Sequence, residues 1–308
     1  MICKLDDGRL YAEILTDRGA NPIRLIDRQE NADILRSPKA LSDFETDNPY
    51  LYGMPLLFFP NRISGGRFSF DGREYILPIN EPQTGCYLHG TLHKTPFSVT
   101  ELTKTKVCCA YKATKNEPYL TFPHEFELSL TYELSDGAFV QTAEFKNNSD
   151  CEMPVALAFH TTFNIPFVNG STGEDVTANI EVDREFLRDK NYLPTGEILE
   201  SSRYISELSS GMFCPPKNTV SAFFEDSGKG KAILTDRRTG TRLVYEAGEG
   251  YGYWMIYNGG AKDFFCVEPQ TWATNCPNLA GDPVKNGFQT VAPHKTKRYV
   301  TRIYCERA

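Results

Sequence analysis

The 308-residue sequence has no long apolar segment, no excess of positive charge and no clustered metal-ligand motif. Its apolar runs fall well short of the roughly 20 residues of a membrane-spanning helix, and residues 1–7 lack the apolar core of a signal peptide. The net charge of -7 argues against nucleic acid or an anionic membrane surface as the main partner. From these absences we predict a soluble cytoplasmic protein that binds neither nucleic acid nor a membrane.

Cysteine and glycine are present, but not in the patterns that hold metals or phosphates. The nine cysteines are scattered, with one adjacent pair, Cys108-Cys109, and no CxxC spacing or Cys/His cluster. The glycine-rich segments at 228–231 and 248–252 do not lie between a buried strand and a helix start, so neither predicts a phosphate-binding loop. We therefore predict reduced thiols, no metal ion and no cofactor.

Short segments with strand character, separated by glycine-containing turns, make up most of the chain. Asp-Gly pairs at 71–72 and 136–137 and the Thr-Gly pair at 239–240 mark hairpins, because these residues accept the positive φ of a tight turn. Helical turns are predicted only within 31–48 and 183–188. No linker or repeat divides the chain. We predict an all-β protein, one large antiparallel β-sandwich domain spanning residues 1–308.

A carboxylate follows the most apolar of these strands. Residues 264–267 are apolar, Glu268 comes next, and Pro269 follows it. Proline cannot donate to a sheet, so we predict that the strand ends here with Glu268 at its mouth. A carboxylate among apolar neighbours must recover its lost hydration from hydrogen bonds or a charged partner.

Three other apolar segments also lead into polar side chains. The segments at 54–60, 86–88 and 154–159 are followed by Asn61 and Arg62, by His89, and by His160. Side chains mounted on rigid elements are well placed for catalysis or binding. Each also has an ordinary structural interpretation, because such arginines often pair with a carboxylate and such histidines are often structural.

If these groups meet, a carboxylate base, an imidazole acid and an arginine suit proton transfer on a neutral polyhydroxylated molecule. A zinc site formed by His89, His160 and Glu268 is the alternative, since two imidazoles and a carboxylate form a catalytic zinc set. Zinc sites usually take two ligands from one short segment, and no such pair appears here.

The same segments, in the same order, resemble those of the aldose 1-epimerases, or mutarotases. Residues 60–72 resemble the arginine segment of that family, Leu88-His89-Gly90 and 159–163 its two histidine segments, 192–197 its Pro-Thr-Gly turn, and 265–271 its glutamate segment. The resemblance runs from Glu13 to the carboxyl end.

This resemblance implies a galactose-mutarotase-type sandwich with an open sugar cleft, and interconversion of the α and β anomers of a free aldose. By position, Glu268 would take the proton of the anomeric hydroxyl and His160 would protonate the ring oxygen. Arg62 and His89 would hold the sugar and its developing charge, with Asn61 in a weaker role. The reacting groups would be Glu⁻ and HisH⁺, facing one another across a bound pyranose.

One family feature is missing, and it leaves the sugar open. The family usually carries a sugar-binding aspartate between the Pro-Thr-Gly turn and the glutamate, but residues 205–222 contain none. Trp254 and Trp272 could stack on a pyranose, although a core position is expected at least for Trp254. Two alternatives remain: a non-catalytic sugar-binding or regulatory protein, and an epimerase-like protein for a phosphorylated sugar held by Arg67 or Arg73. The oligomeric state is not predicted.

Overall fold

The computed structural model describes residues 1–46 and 48–307, and antiparallel strands dominate them. The strands, in chain order, are β1 Ile2–Asp6, β2 Leu10–Leu15, β3 Asn21–Asp27, β4 Ala32–Asp33, β5 Leu56–Leu57, β6 Arg62–Ser64, β7 Arg67–Phe70, β8 Arg73–Ile76, β9 Cys86–Leu88, β10 Ser98–Leu102, β11 Lys106–Ala113, β12 Phe126–Ser135, β13 Ala138–Asn147, β14 Met153–Val155, β15 Ala158–Phe159, β16 Thr162–Asn164, β17 Val176–Ile180, β18 Val182–Arg188, β19 Pro194–Leu199, β20 Ser221–Asp226, β21 Lys231–Asp236, β22 Thr241–Ala247, β23 Tyr253–Tyr257, β24 Phe264–Gln270, β25 Gln289–Val291 and β26 Thr296–Arg307.

Helices are short in the described chain. The α-helices are α1 Asp43–Thr46 and α2 Arg203–Ser209, and the 3-10 helices are Pro49–Leu51, Leu92–Lys94, Gly173–Asp175, Pro215–Lys217, Cys276–Asn278 and Pro283–Asn286. No described helix has the length and apolar character needed to span a bilayer.

Two eight-stranded sheets pack face to face around the main core. One has the order β10-β11-β12-β13-β26-β22-β21-β17, and the other β19-β18-β20-β23-β24-β15-β5 with β16 also paired to β24. Rings from both sheets meet between them: Tyr245 of β22 lies 6.1 Å from Trp254 of β23 and 5.7 Å from Phe163 of β16. Burying each such ring contributes roughly 1.5–3 kcal/mol. The predicted all-β antiparallel sandwich is confirmed.

The hairpins form at the predicted turns. Asp71 and Gly72 have φ values of 49° and 70°, and Asp136 and Gly137 have 51° and 71°. Positive φ at both central residues matches the twist of the flanking strands, which is why Asp-Gly is favoured there. These local signals therefore predicted β7–β8 and β12–β13 correctly.

The predicted helical turn at 183–188 is wrong. These residues form β18, which pairs with β19 and β20. The edge-to-face packing of Phe186 on Phe223, 5.7 Å between ring centroids, accompanies this pairing, so tertiary packing overrides a weak local pattern. The helix that does form nearby, α2, begins after Ser202, whose side chain accepts a hydrogen bond from the Ile205 N–H.

The prediction that the strand ends at Glu268 is also wrong, because β24 continues through Pro269 to Gln270. Proline is tolerated because the neighbouring strand is interrupted between β15 and β16. There the Phe159 carbonyl accepts a hydrogen bond from the Thr161 N–H, at 2.8 Å. It therefore does not need an N–H from position 269, which proline lacks. The interruption leaves His160 between two short strands, and the pairs Ala158–Gln270 and Thr162–Cys266 place it opposite Glu268.

Candidate active site

A cleft of about 610 Å³ lies at one side of the second sheet. The structure brings all five predicted site residues together in its lining, which consists of Asn48, Tyr50, Asn61, Arg62, Glu81, Gln83, Thr84, Leu88, His89, His160, Arg188, Tyr192, Thr219, Val220, Ser221, Met255, Tyr257, Gly259 and Glu268. They come from segments as distant in the chain as β6 and β24, so only folding makes them neighbours.

His160 and Glu268 form the centre of the cleft floor. His160 Nε2 lies 3.2 Å from Glu268 Oε1, and the two residues are 7% and 1% exposed. The expectation that they face one another across a sugar is therefore wrong, because they touch directly on the same side of the cleft. His160 Nδ1 has no hydrogen-bond partner among the described residues, so Nε2 is the ring nitrogen coupled to the carboxyl group.

Burial acts against charge on both groups of this pair. It lowers the pKa of His160 to about 3, and it raises the pKa of Glu268 well above its ordinary value, with Gln270 and Arg188 opposing that rise only in part. The sequence-based expectation of Glu⁻ beside HisH⁺ as the dominant form is not supported by these shifts. The favoured form is the neutral tautomer, in which the Glu268 carboxyl group is protonated and His160 is uncharged. It holds the same number of protons as the charged form.

Asn61 and His89 hold each other in place at the cleft wall. The Asn61 N–H donates to His89 Nδ1, and the His89 N–H donates to the Asn61 carbonyl oxygen, each at 3.1 Å. Both residues have left-handed backbones, with φ values of 60° and 58°. Such conformations in non-glycine residues are concentrated at functional sites. Since Nδ1 accepts, Nε2 carries the hydrogen, and burial keeps the pKa of His89 well below 6.5, so this ring is a neutral donor.

Arg62 lines the cleft and is also held by an acidic partner. Its Nε and one terminal nitrogen each lie 2.6 Å from a carboxylate oxygen of Glu81, and its guanidinium lies 4.5 Å from the centre of the Tyr192 ring. Sequence patterns left Arg62 two alternative roles, an ion pair with a carboxylate and a position in the binding site. The structure shows both. Glu81 itself was missed, because its partner lies 19 residues away and no local pattern links them.

The aromatic surface of the cleft comes from tyrosines rather than tryptophans. Tyr50 packs against the rings of His89 and His160, at centroid distances of 4.8 and 5.8 Å, and burial raises its pKa to about 12, so it remains a neutral phenol. Trp254 and Trp272 are 1% and 0% exposed and do not line the cleft. The core position expected for Trp254 is confirmed, and the proposed stacking role of both tryptophans is wrong.

Arg188, which the sequence analysis also missed, reaches the cleft from the end of β18. Its guanidinium donates to the Ser221 carbonyl and, at 3.1 Å, to the Ser221 hydroxyl, and it lies 3.6 Å from the Met255 sulfur. Burial, reinforced by the charge of Arg62, lowers its pKa to about 10. Nothing in the sequence indicated that Arg188 lies at a strand end, because 183–188 was predicted to be helical. Arg67 and Arg73, which the sequence suggested for holding a phosphorylated sugar, do not line the cleft.

One group in the described chain has the spacing of metal ligands. It consists of His160, Cys266 and Glu268, whose ligand atoms all lie within 4.8 Å of one another, so Cys266 takes the place that the zinc alternative gave to His89. Burial raises the pKa of the Cys266 thiol well above its ordinary value, which opposes the thiolate that a metal requires. The donor types match zinc, whereas this electrostatic environment disfavours it.

Comparison with known proteins agrees with the resemblance of the motifs. Residues 1–304 match the family model described as aldose 1-epimerase. The chain is 29% identical to the galactose mutarotase of Sus scrofa over 285 residues, which cover 83% of this chain and 80% of that protein. The protein thus belongs to the aldose 1-epimerase family and is an isomerase.

Solved structures give the same assignment of the fold. A galactose mutarotase-like protein from Clostridium acetobutylicum superposes with a TM-score of 0.92 at 33% identity, covering 99% of this chain and 95% of that one. The galactose 1-epimerase of Lactobacillus acidophilus NCFM superposes with a TM-score of 0.74 at 16% identity, covering 100% of this chain and 95% of that one. The fold is the galactose mutarotase-like sandwich.

Proposed function

We propose that this protein interconverts the α and β anomers of a free aldose, with Glu268 and His160 as the groups that transfer protons. The observation that carries the proposal is the 3.2 Å contact between His160 Nε2 and Glu268 Oε1 on the floor of an open cleft. The anomeric oxygen and the ring oxygen are bonded to the same carbon. An acid and a base that serve these two oxygens can therefore act from neighbouring positions, which is how His160 and Glu268 are arranged.

The reaction follows from this arrangement. The step starts from the charged tautomer of the pair, Glu⁻ with HisH⁺. As the bond between C1 and the ring oxygen breaks, Glu268 takes the proton of the anomeric hydroxyl and His160 gives a proton to the ring oxygen, leaving an open-chain aldehyde and two neutral side chains. Rotation about C1–C2 presents the other carbonyl face, and closure returns both protons. The pair's single proton is conserved, so no cofactor is required. Burial favours the neutral pair, which is the form reached on ring opening.

The surrounding residues hold the sugar. The Nε2–H of His89 and the guanidinium of Arg62 are donors facing the cleft, suited to sugar oxygens and to the charge that develops on them. Asn61 supports His89 through its backbone, and Glu81 holds the planar fork of Arg62 in one orientation. A monosaccharide is the partner that this set of donors and tyrosine rings fits.

The experiment is anomer exchange measured by NMR and polarimetry, starting from the pure α anomer of each aldose in a panel of hexoses and pentoses. We expect exchange well above the rate in buffer for at least one aldose. If no aldose is accelerated while sugars still shift the thermal unfolding temperature, the protein is the non-catalytic sugar-binding alternative. Metal analysis of the purified protein tests the zinc alternative, since the proposed reaction needs none.

A further inference from the structure

Among the described residues, Arg188 is the cleft guanidinium without an acidic partner at ion-pair distance. Its contacts are the carbonyl and hydroxyl of Ser221, the sulfur of Met255 and the ring of Tyr192, whose centre lies 5.8 Å away. Among the residues that the structure describes, no carboxylate oxygen lies within the 4.0 Å of an ion pair with it. A partly buried cation without a counter-charge has lost hydration that its present contacts only partly replace.

The charge balance of the cleft makes this cation stand out. Arg62 is neutralised by the two-pronged contact with Glu81. Glu268 has a raised pKa, which weakens its negative charge, and the charge of Glu185 acts on Arg188 only from beyond ion-pair distance. The pKa of Arg188 is about 10, so it remains protonated at neutral pH. The described residues therefore leave the positive charge of Arg188 unbalanced at this end of the cleft.

Arg188 contacts the residue that pairs directly with Glu268 across the sheet. Met255 is the direct cross-strand partner of Glu268, and directly opposed residues have Cβ atoms about 4.5–5.5 Å apart. The Arg188 guanidinium contacts the Met255 sulfur at 3.6 Å, so it stands one side chain beyond the carboxyl group. The lining at this end, Thr219, Val220 and Ser221, contains no carboxylate that would accept hydrogen bonds from sugar hydroxyls.

We propose that Arg188 binds an anionic substituent on the sugar, a carboxylate or a phosphate, so that the preferred substrate is an acidic aldose. This inference rests on the proposed function. A guanidinium donates through a planar fork that matches the oxygens of a carboxylate or phosphate and offers no acceptor to a hydroxyl proton. The substituent lies at the end of the sugar away from the anomeric carbon, which is held over His160 and Glu268.

The test compares neutral and acidic sugars on matched proteins. Anomer exchange by NMR is measured for glucose, galactose, their uronates and their 6-phosphates, with the unmodified protein, Arg188→Met and Arg184→Met. Arg184 is the control because it lies on the same strand but pairs with Glu225 outside the cleft. For the unmodified protein we expect kcat/KM about 10- to 100-fold higher for the uronates or the 6-phosphates, as one charge-assisted contact provides.

Arg188→Met should abolish that preference, so that kcat/KM becomes similar for neutral and acidic sugars, while Arg184→Met should preserve it. Whether uronates or 6-phosphates respond identifies the anion. Equal rates on neutral and acidic sugars in the unmodified protein would overturn the inference and leave the proposed function standing. An equal loss on all sugars in Arg188→Met would also overturn it, because Arg188 would then act on Glu268 or on the fold.

A binding measurement separates recognition from chemistry. Methyl glucuronide and methyl glucoside cannot open their rings, so their binding, measured by calorimetry, does not depend on catalysis. Tighter binding of the glucuronide or of methyl glucoside 6-phosphate, lost in Arg188→Met, supports anion recognition even if no sugar is anomerised, a result that would overturn the proposed function alone. No preference for either anionic glycoside would overturn the inference.

Discussion

Replacing Glu268 with glutamine removes the proton acceptor of the pair while keeping the shape of the side chain. A positioned general base contributes about 10²–10⁴ in rate, equivalent to roughly 3–5 kcal/mol of activation free energy, so kcat should fall by that factor. KM should change far less, because Arg62 and His89 still hold the sugar. The assay is polarimetry on the preferred aldose, with Glu225→Gln, which alters an ion pair outside the cleft, as the control.

The same substitution should stabilise the fold, and the sign follows from the raised pKa of Glu268. The unfolded chain loses the Glu268 proton near the ordinary pKa of 4.5, whereas the folded protein holds it to higher pH. The contribution of Glu268 to stability is therefore fully present below pH 4.5 and is lost as pH rises through the folded-state pKa. Glutamine does not titrate, so Glu268→Gln should gain stability over the unmodified protein as pH rises.

Thermal unfolding from acid to neutral pH measures this difference. The unfolding temperatures of the two proteins should diverge with rising pH, with Glu268→Gln the more stable, whereas Glu225→Gln, which loses the ion pair with Arg184, should show no such gain. Unchanged kcat in Glu268→Gln would refute the role in proton transfer. A stability difference that does not grow with pH would refute the raised pKa, and with it the electrostatic description of the pair.

Three further predictions follow from the cleft and its surroundings. Because the active form of the His160–Glu268 pair holds one proton, kcat/KM in a pH profile of initial rates should stay level between the pKa of His160, lowered to about 3, and the raised pKa of Glu268. Glu81→Gln should raise KM about 10-fold by releasing Arg62 from its fixed orientation, as measured by initial rates. His93, buried with a pKa lowered to about 4, should cost the fold roughly 2 kcal/mol on acidification from pH 7.5 to 5, and His93→Gln should remove that part of the slope in urea unfolding.

Each of these predictions has a contrary outcome. A rate that declines above pH 6.5 would mean that an imidazolium with an ordinary pKa is required. Glu74→Gln, which releases the exposed Arg67 outside the cleft, is the control for Glu81→Gln, and equal effects of the two would refute a specific role for Glu81. His93 is a buried histidine that stays neutral in the folded protein. The unfolded chain takes up a proton below pH 6.5 and the folded chain does not until about 4, so the protein loses stability as the pH is lowered. An unchanged slope in the variant would contradict this.

Local sequence determined the strands, most of the turns and the segments that supply the site. Alternation along β12 and the Asp-Gly turns at 71–72 and 136–137 are properties of neighbouring residues, so they can be recognised without the fold. The order of the motifs around Arg62, His89, His160 and Glu268 was sufficient to indicate the family, and the match over residues 1–304 confirms it. The prediction of one domain, the cytoplasmic location and the roles of the site residues stay predictions.

Tertiary structure alone decided how those residues meet. The direct contact of His160 with Glu268 depends on the interruption between β15 and β16, and the capture of Arg62 by Glu81 joins residues with no local relation. The position of Arg188 depends on β18 being a strand in the sheet, which its own residues indicate only weakly. The pKa shifts arise from desolvation, and desolvation is a property of the atoms packed around a group rather than of its neighbours in the chain.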